Sequence, residues 1–234
     1  MKFLIDPKVF ETFENVTIGV VICKGIVNKG ESKEIEELLS NEIQRIRSSY
    51  DSSTLSQDPK INVWREAYRK FGAKPKDHKS SIENLYARIL KGEDLRHINL
   101  LVDIYNYISL KYMLPAGGED LNKIQGDIIL TFASDNESPM LLLGDHEEKT
   151  PHAGEVIYKD EISTICRRWN WREADRTKLT EDTDSCILVI EGIGVIDKEE
   201  VKNALEELKE KVLQYCSGNI QEAILDSTNN SIQL

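Results

Sequence analysis

The chain has 234 residues, 40% hydrophobic and 30% charged, with a formal net charge of −11. That much apolar content buries a core and excludes extended disorder, while 13 Gly and no sustained heptad exclude collagen-like and coiled-coil chains. At roughly 150 residues per domain it makes one large domain or one domain with an appendage, and no run approaches the ~20 apolar residues that span a bilayer.

The opening, MKFLIDPKVF, is interrupted by Asp6 and Pro7 and is too short for a secretory h-region, so the expected location is the cytoplasm. Residues 16–27 are β-branched and almost continuously apolar and read as a buried strand. Over 31–47, Ile35, Leu38, Leu39, Ile43 and Ile46 fall at helical spacing, with acids early and Arg45 late, as the helix dipole favours. The Ser/Asp-rich stretch 48–60 reads as a linker. It divides a strand–helix segment, 1–59, packed on the main module, from a domain over 60–216. Residues 61–71 read as a helix stopped at Gly72, and Lys74-Pro75 imposes an extended loop. Ser80 with Glu83 fits a capping box opening the next helix, which ends at Gly92.

The clearest helix is 98–113, with Ile98, Leu101, Val102, Tyr105, Ile108 and Tyr112 toward the core. Asp103, Asn106 and Ser109 share a neighbouring face, where they either satisfy backbone groups or line a pocket. LPAGGEDL (114–121) reads as a Pro/Gly turn. DIILTFA (127–133), MLLLG (140–144), EVIYKD (155–160) and CILVIEG (186–192) read as strands, 197–213 as an amphipathic helix, and 217–234 as a C-terminal tail whose end, STNNSIQL, reads as frayed. Strands clustered in the second half give an α+β fold of mixed and antiparallel sheets packed with helices rather than a βαβ repeat.

Four cysteines, Cys23, Cys166, Cys186 and Cys216, form no CxxC and, without an export signal, are expected to be reduced. His146 and His152 flank Glu147 and Glu148, a weakly metal-like grouping that reads better as a solvated loop; no metal ligand set and no cofactor motif is expected. The charge is uneven: 60–91 carries net +6, leaving −17 elsewhere, and Arg167, Arg168, Arg172, Arg176 and Lys178 form a second basic cluster. Two basic islands on an acidic body either hold a polyanion locally or form solvated faces.

The stretch 95–130 resembles the tRNA-editing module of the phenylalanyl-tRNA synthetase β chain. Val102, Asp103, Asn106 and Tyr107 lie on the helix, Pro115 in the turn, and Asp120, Leu121, Ile124 and Gly126 before the strand from Ile128. Looser matches extend the likeness over about 60–192. The resemblance implies the fold of that module and a free-standing aminoacyl-tRNA deacylase acting in trans on the ester of a mischarged tRNA. It implies Asn106 and Glu173 as catalytic residues and Asp103, Pro115, Gly117, Trp169, Arg172 and Thr183 as substrate contacts. It also implies Arg65, Arg69, Lys74, Lys76 and Lys79 as contacts to the tRNA acceptor end. The family's pocket histidine falls on Gly117, and its glycine-rich loop is replaced by Arg167–Arg172. There Trp169 and Trp171 are either core packing or an aromatic wall, with the arginines meeting phosphate. Two other functions compete with hydrolysis: a non-catalytic module for an amino acid or aminoacyl-tRNA, and a hydrolase or sensor of a free small molecule.

Overall fold

A computed structural model describes residues 1–234. The helical face 35/39/43/46 forms α2, Lys33–Ser49, capped by Ser32. It follows β1 (Lys2–Ile5), the short α1 (Pro7–Thr12) and β2 (Thr17–Lys24). Next come α3 (Pro59–Lys70), capped by Asp58, and α4 (Ser81–Leu90), whose Ser80 hydroxyl accepts from the Glu83 N–H at 3.4 Å; only this half of the capping box forms, because the Glu83 carboxylate turns to Arg65. α5 spans Leu100–Tyr112, with Asn99 as its N-cap. Ile98 therefore lies outside the helix and is exposed rather than facing the core.

Residues 114–121 are not merely a turn. Ala116–Asp120 form β3, paired antiparallel with β10 (Ser185–Gly192). Gly118 permits this: a β-carbon there would stand 2.5 Å from Leu188 Cδ2 and 2.8 Å from the Ile187 carbonyl oxygen. β4 (Ile128–Phe132) follows, then a small hairpin of β5 (Met140–Leu141) and β6 (Glu148–Lys149), a much shorter strand than MLLLG suggested. β7 (Val156–Lys159), β8 (Thr164–Arg167) and β9 (Arg172–Glu173) are successive antiparallel neighbours. α6 (Lys198–Cys216) buries Val201, Leu205, Leu208 and Val212.

The tail is not frayed. β11 (Asn219–Leu225) pairs along most of β2, and β12 (Ser231–Gln233) covers the edge of β1. The resulting sheets run β12-β1-β4-β7-β8-β9 and β11-β2-β10-β3. Divisions at residues 59 and 216 thus have no counterpart in the sheets, because β1 and β2 are interior strands and both ends of the chain complete them. The 48–60 stretch is an ordered connection that buries Leu55 in a single 3-10 turn. All four cysteines are free and buried.

Candidate functional site

Alternation brings chemistry to the facing surfaces of the two sheets. Gly117 and Glu119 share one face of β3, opposite Val189 and Ile187 of β10. Across the gap, Tyr158, Cys166 and Glu173 are register partners on β7, β8 and β9. Phe3 stacks on Tyr158 at 5.9 Å between ring centroids. The space between them is a cavity of about 240 Å³, open at one side and walled by Gly117, Glu119, Tyr158, Glu173 and Glu191 among apolar neighbours. At roughly 30 Å³ per water, it holds on the order of eight waters or one amino acid with a few.

Three carboxylates enter this cavity. Burial pushes Glu173 up to about 7, while the facing Gly118 N–H opposes the shift. Glu119 is pushed well above the usual carboxylate range by burial and by the Glu173 charge. Burial also raises Glu191 to about 7. The three differ in hydrogen bonding. Glu191 accepts from the Tyr158 hydroxyl and from Asn170 Nδ2, the latter at 2.5 Å, while Asn170 Oδ1 accepts from the Tyr68 hydroxyl at 2.9 Å. Glu119 Oε2 is buried without a partner. Cys166 is no nucleophile here, because burial and the surrounding glutamates raise its thiol well above the ordinary value.

The loop between β8 and β9 carries the anticipated Trp and Arg residues in a strained form. Arg168 and Trp169 both have positive φ, 48° and 65°. Trp169 resolves both alternatives at once: it is fully buried, edge-on to Phe13 and Trp64 at 4.9 and 5.2 Å, and it also lines the cavity. Trp171 lines it too, with the Arg168 guanidinium 4.5 Å from its ring centroid. The arginines do not await phosphate. Glu155 Oε1 accepts from Arg167 Nη2 at 2.6 Å and lies 2.9 Å from Arg168 Nη2. Arg172 Nη2 donates to the Leu143 carbonyl at 2.6 Å and to Asp145 at 2.7 Å.

Of the residues singled out by resemblance, Gly117, Trp169, Arg172 and Glu173 meet at this cavity. Asn106 is half-buried on α5 and is not among the cavity's walls. Its neighbour Tyr105 is the α5 residue whose phenol feels Glu173 and Glu119. Asp103 faces a different cleft, beside α2, where its Oδ2 meets His97 Nδ1 at 2.6 Å. Thr183 is buried away from the cavity, its hydroxyl donating to Asp120 at 2.8 Å and accepting from the Thr180 N–H at 3.0 Å. The Pro115 carbonyl accepts from the Glu191 N–H at 3.0 Å, so this residue supports the wall without forming it.

Among the basic residues, Arg65 is engaged by the buried Glu83 at 2.6 Å. Arg69, Lys74 and Lys76 are exposed and Lys79 is half-exposed. Their loop joins the cavity at Ser81, a wall residue whose N–H donates to the Asn170 carbonyl at 2.9 Å, and its His78 stands edge-on to Trp171 at 4.7 Å. Sequence reasoning missed Glu119, Glu191, Tyr158 and Asn170. A carboxylate inside the apolar run CILVIEG was the visible signal for Glu191; Glu119 was hidden by reading its strand as a turn. No group of three His, Cys, Asp or Glu side chains is arranged to hold a metal ion, and no helix is long and apolar enough to cross a membrane.

Two facing sheets, an acidic cavity between them and a basic loop at its edge define an α+β module. A family model described as the B3/4 domain matches residues 63–217, and the chain belongs to that family. Over 93 residues it is 30% identical to the phenylalanine–tRNA ligase beta subunit of Bordetella pertussis, a match covering 40% of this chain and 11% of that one. It is 33% identical over 76 residues to the beta subunit of Leifsonia xyli subsp. xyli, covering 32% of this chain and 9% of that one. These matches span only about a tenth of the relatives' length. An N-terminal fragment of the phenylalanyl-tRNA synthetase beta subunit from Pyrococcus horikoshii superposes with a TM-score of 0.47 and 12% identity, covering 96% of this chain and 54% of that chain.

Proposed function

We propose that this protein is an aminoacyl-tRNA deacylase acting in trans, hydrolysing the ester between an amino acid and the terminal ribose of a mischarged tRNA. The observation that carries the reading is Glu173, a carboxylate held near neutrality in a cavity whose wall continues into the basic loop of Lys74, Lys76 and Lys79. A carboxylate titrating near pH 7 is matched to general-base work. Glu173 takes a proton from a water as its oxygen attacks the ester carbonyl. The tetrahedral intermediate then breaks its bond to the ribose oxygen, and the departing hydroxyl recovers the proton from Glu173. Trp169, Trp171 and Tyr158 wall the acyl group from bulk water. The exposed lysines meet acceptor-end phosphates.

The experiment is a deacylation panel: the purified protein incubated with tRNAs carrying different amino acids. At least one ester is expected to be cleaved faster than it decays spontaneously, with Glu173→Gln losing about 10²-fold or more of the acceleration. No acceleration for any ester removes the reading. Tight binding of an intact ester without cleavage replaces it with a non-catalytic aminoacyl-tRNA module.

A further inference from the structure

Of the three buried carboxylates, one is already satisfied: Glu191, between Tyr158 and Asn170. Two remain. Glu173 faces the cavity from β9 and Glu119 from β3, and Glu119, a residue only 9% exposed, has its Oε2 without a partner. The only cation in the walls is Arg172, and its guanidinium is held by the Leu143 carbonyl and Asp145. The other walls are largely apolar: Ile128, Ile165, Ile187, Val189 and the rings of Phe3 and Tyr158. Leaving a buried carboxylate unpaired is costly, and an opposite charge is what offsets it.

We infer that the cavity selects an acyl group ending in a positive charge: an amino acid whose aliphatic side chain carries a terminal cation that meets Glu119, while Glu173 stays free for the attacking water. This inference deepens the deacylase reading and rests on its assignment of the cavity to the amino acid. The chemical class is that of lysine and ornithine, with a methylene chain lying along the apolar walls and a terminal ammonium. An aromatic or purely aliphatic side chain fills the same space but leaves Glu119 to be neutralised by a proton instead.

Titration calorimetry of the full chain with uncleavable amides tests this directly. Lysinamide or ornithinamide is expected to bind at least tenfold more tightly than norleucinamide, which keeps the carbon chain and lacks the terminal ammonium. Glu119→Gln is expected to erase that difference while norleucinamide binding persists. Glu119→Asp, which retracts the carboxylate by one methylene, is expected to shift preference from the shorter to the longer cation. Equal or tighter binding of norleucinamide or tyrosinamide overturns the inference. So does a preference unchanged in Glu119→Gln, or no binding of either cationic amide. The two readings fail separately. Cationic preference without hydrolysis of any ester removes only the deacylase, and hydrolysis confined to aromatic or aliphatic esters removes only the cationic selectivity.

Discussion

A β-carbon on Gly117 would stand 2.9 Å from Oε1 of Glu173, so the glycine leaves room for the carboxylate on the opposite sheet. By resemblance a histidine belongs at this position; here Glu173 occupies the space that a larger side chain would claim. Gly117→Ala is expected to move Glu173 rather than the backbone, because the contact is with the end of a flexible side chain. Its unfolding free energy from urea denaturation should change by less than about 1 kcal/mol, while ester hydrolysis falls about tenfold or more as the base is misplaced. Gly118→Ala is the contrast. Its β-carbon meets Leu188 and the Ile187 carbonyl, and overpacking of that kind costs about 1–3 kcal/mol. Denaturation and activity measured in parallel separate the two effects; unchanged hydrolysis in Gly117→Ala would contradict the assignment of Glu173.

The buried carboxylates also predict an unusual pH response. Glu173 binds its proton more tightly folded than unfolded, so its contribution to stability is complete below about pH 4.5 and is lost as pH rises through about 7. The charged and titratable groups around it are Glu119 on β3, Tyr105 on α5, Cys166 on β8, Tyr158 on β7, Glu191 on β10 and Arg172 beside it on β9. Glu173→Gln removes the penalty. Thermal melts should show the variant more stable than the parent at pH 8, by on the order of 3 kcal/mol. That advantage should vanish near pH 4. A variant no more stable at pH 8 would mean that Glu173 ionises without cost, through water that the cavity admits.

Much of the architecture was legible where one rule acted alone. The apolar run at 16–27 became β2, and the 201/205/208/212 spacing became the buried face of α6. Reading failed where tertiary pairing overrode local preference. Glycines 117 and 118 signal a turn in isolation, yet Gly118 lets β3 lie close against β10 and Gly117 leaves room for Glu173. The polar tail, STNNSIQL, has no apolar signature of its own and is ordered by β1. At the site, Glu173 was legible through the resemblance, but Asp103 was not separable from it by pattern. A three-residue offset places Asp103 and Asn106 on one helical side in sequence, and only the packing of α2 against α5 shows that Asp103 opens onto another cleft.

The ion cluster beneath the 168–171 turn predicts a stability effect coupled to the site. Glu155 is buried between Arg167 and Arg168, and those contacts hold a turn that has two successive residues at positive φ. Removing the acid leaves two guanidinium groups buried without a counter-charge. Glu155→Gln should therefore cost about 3–5 kcal/mol in urea denaturation. Because the turn leads directly into Trp171, Arg172 and Glu173, ligand binding should weaken even under conditions where the variant stays folded. A loss below about 1 kcal/mol would show that solvent reaches the cluster.

The basic loop makes a prediction that separates recognition of nucleic acid from recognition of the acyl group. Lys74 and Lys76 are exposed and Lys79 half-exposed on the segment that meets the cavity wall at Ser81, whereas Arg65 is bound to Glu83. Two residues of extended chain reach at most about 7 Å, so Lys79 stands beside the opening. On a protein of net charge −11, a polyanion gains nothing from the remaining surface and should depend on this loop almost entirely. Replacing all three lysines with alanine should lower tRNA affinity and flatten the plot of log K against log salt by about 2. Arg65→Ala should act mainly by leaving Glu83 unpaired, reducing stability with little change in that slope. Amino-acid amides should bind the triple variant as they bind the parent, since they carry no phosphate. An unchanged salt slope in the triple variant would move the tRNA contact off this loop and leave the cavity as a site for small molecules.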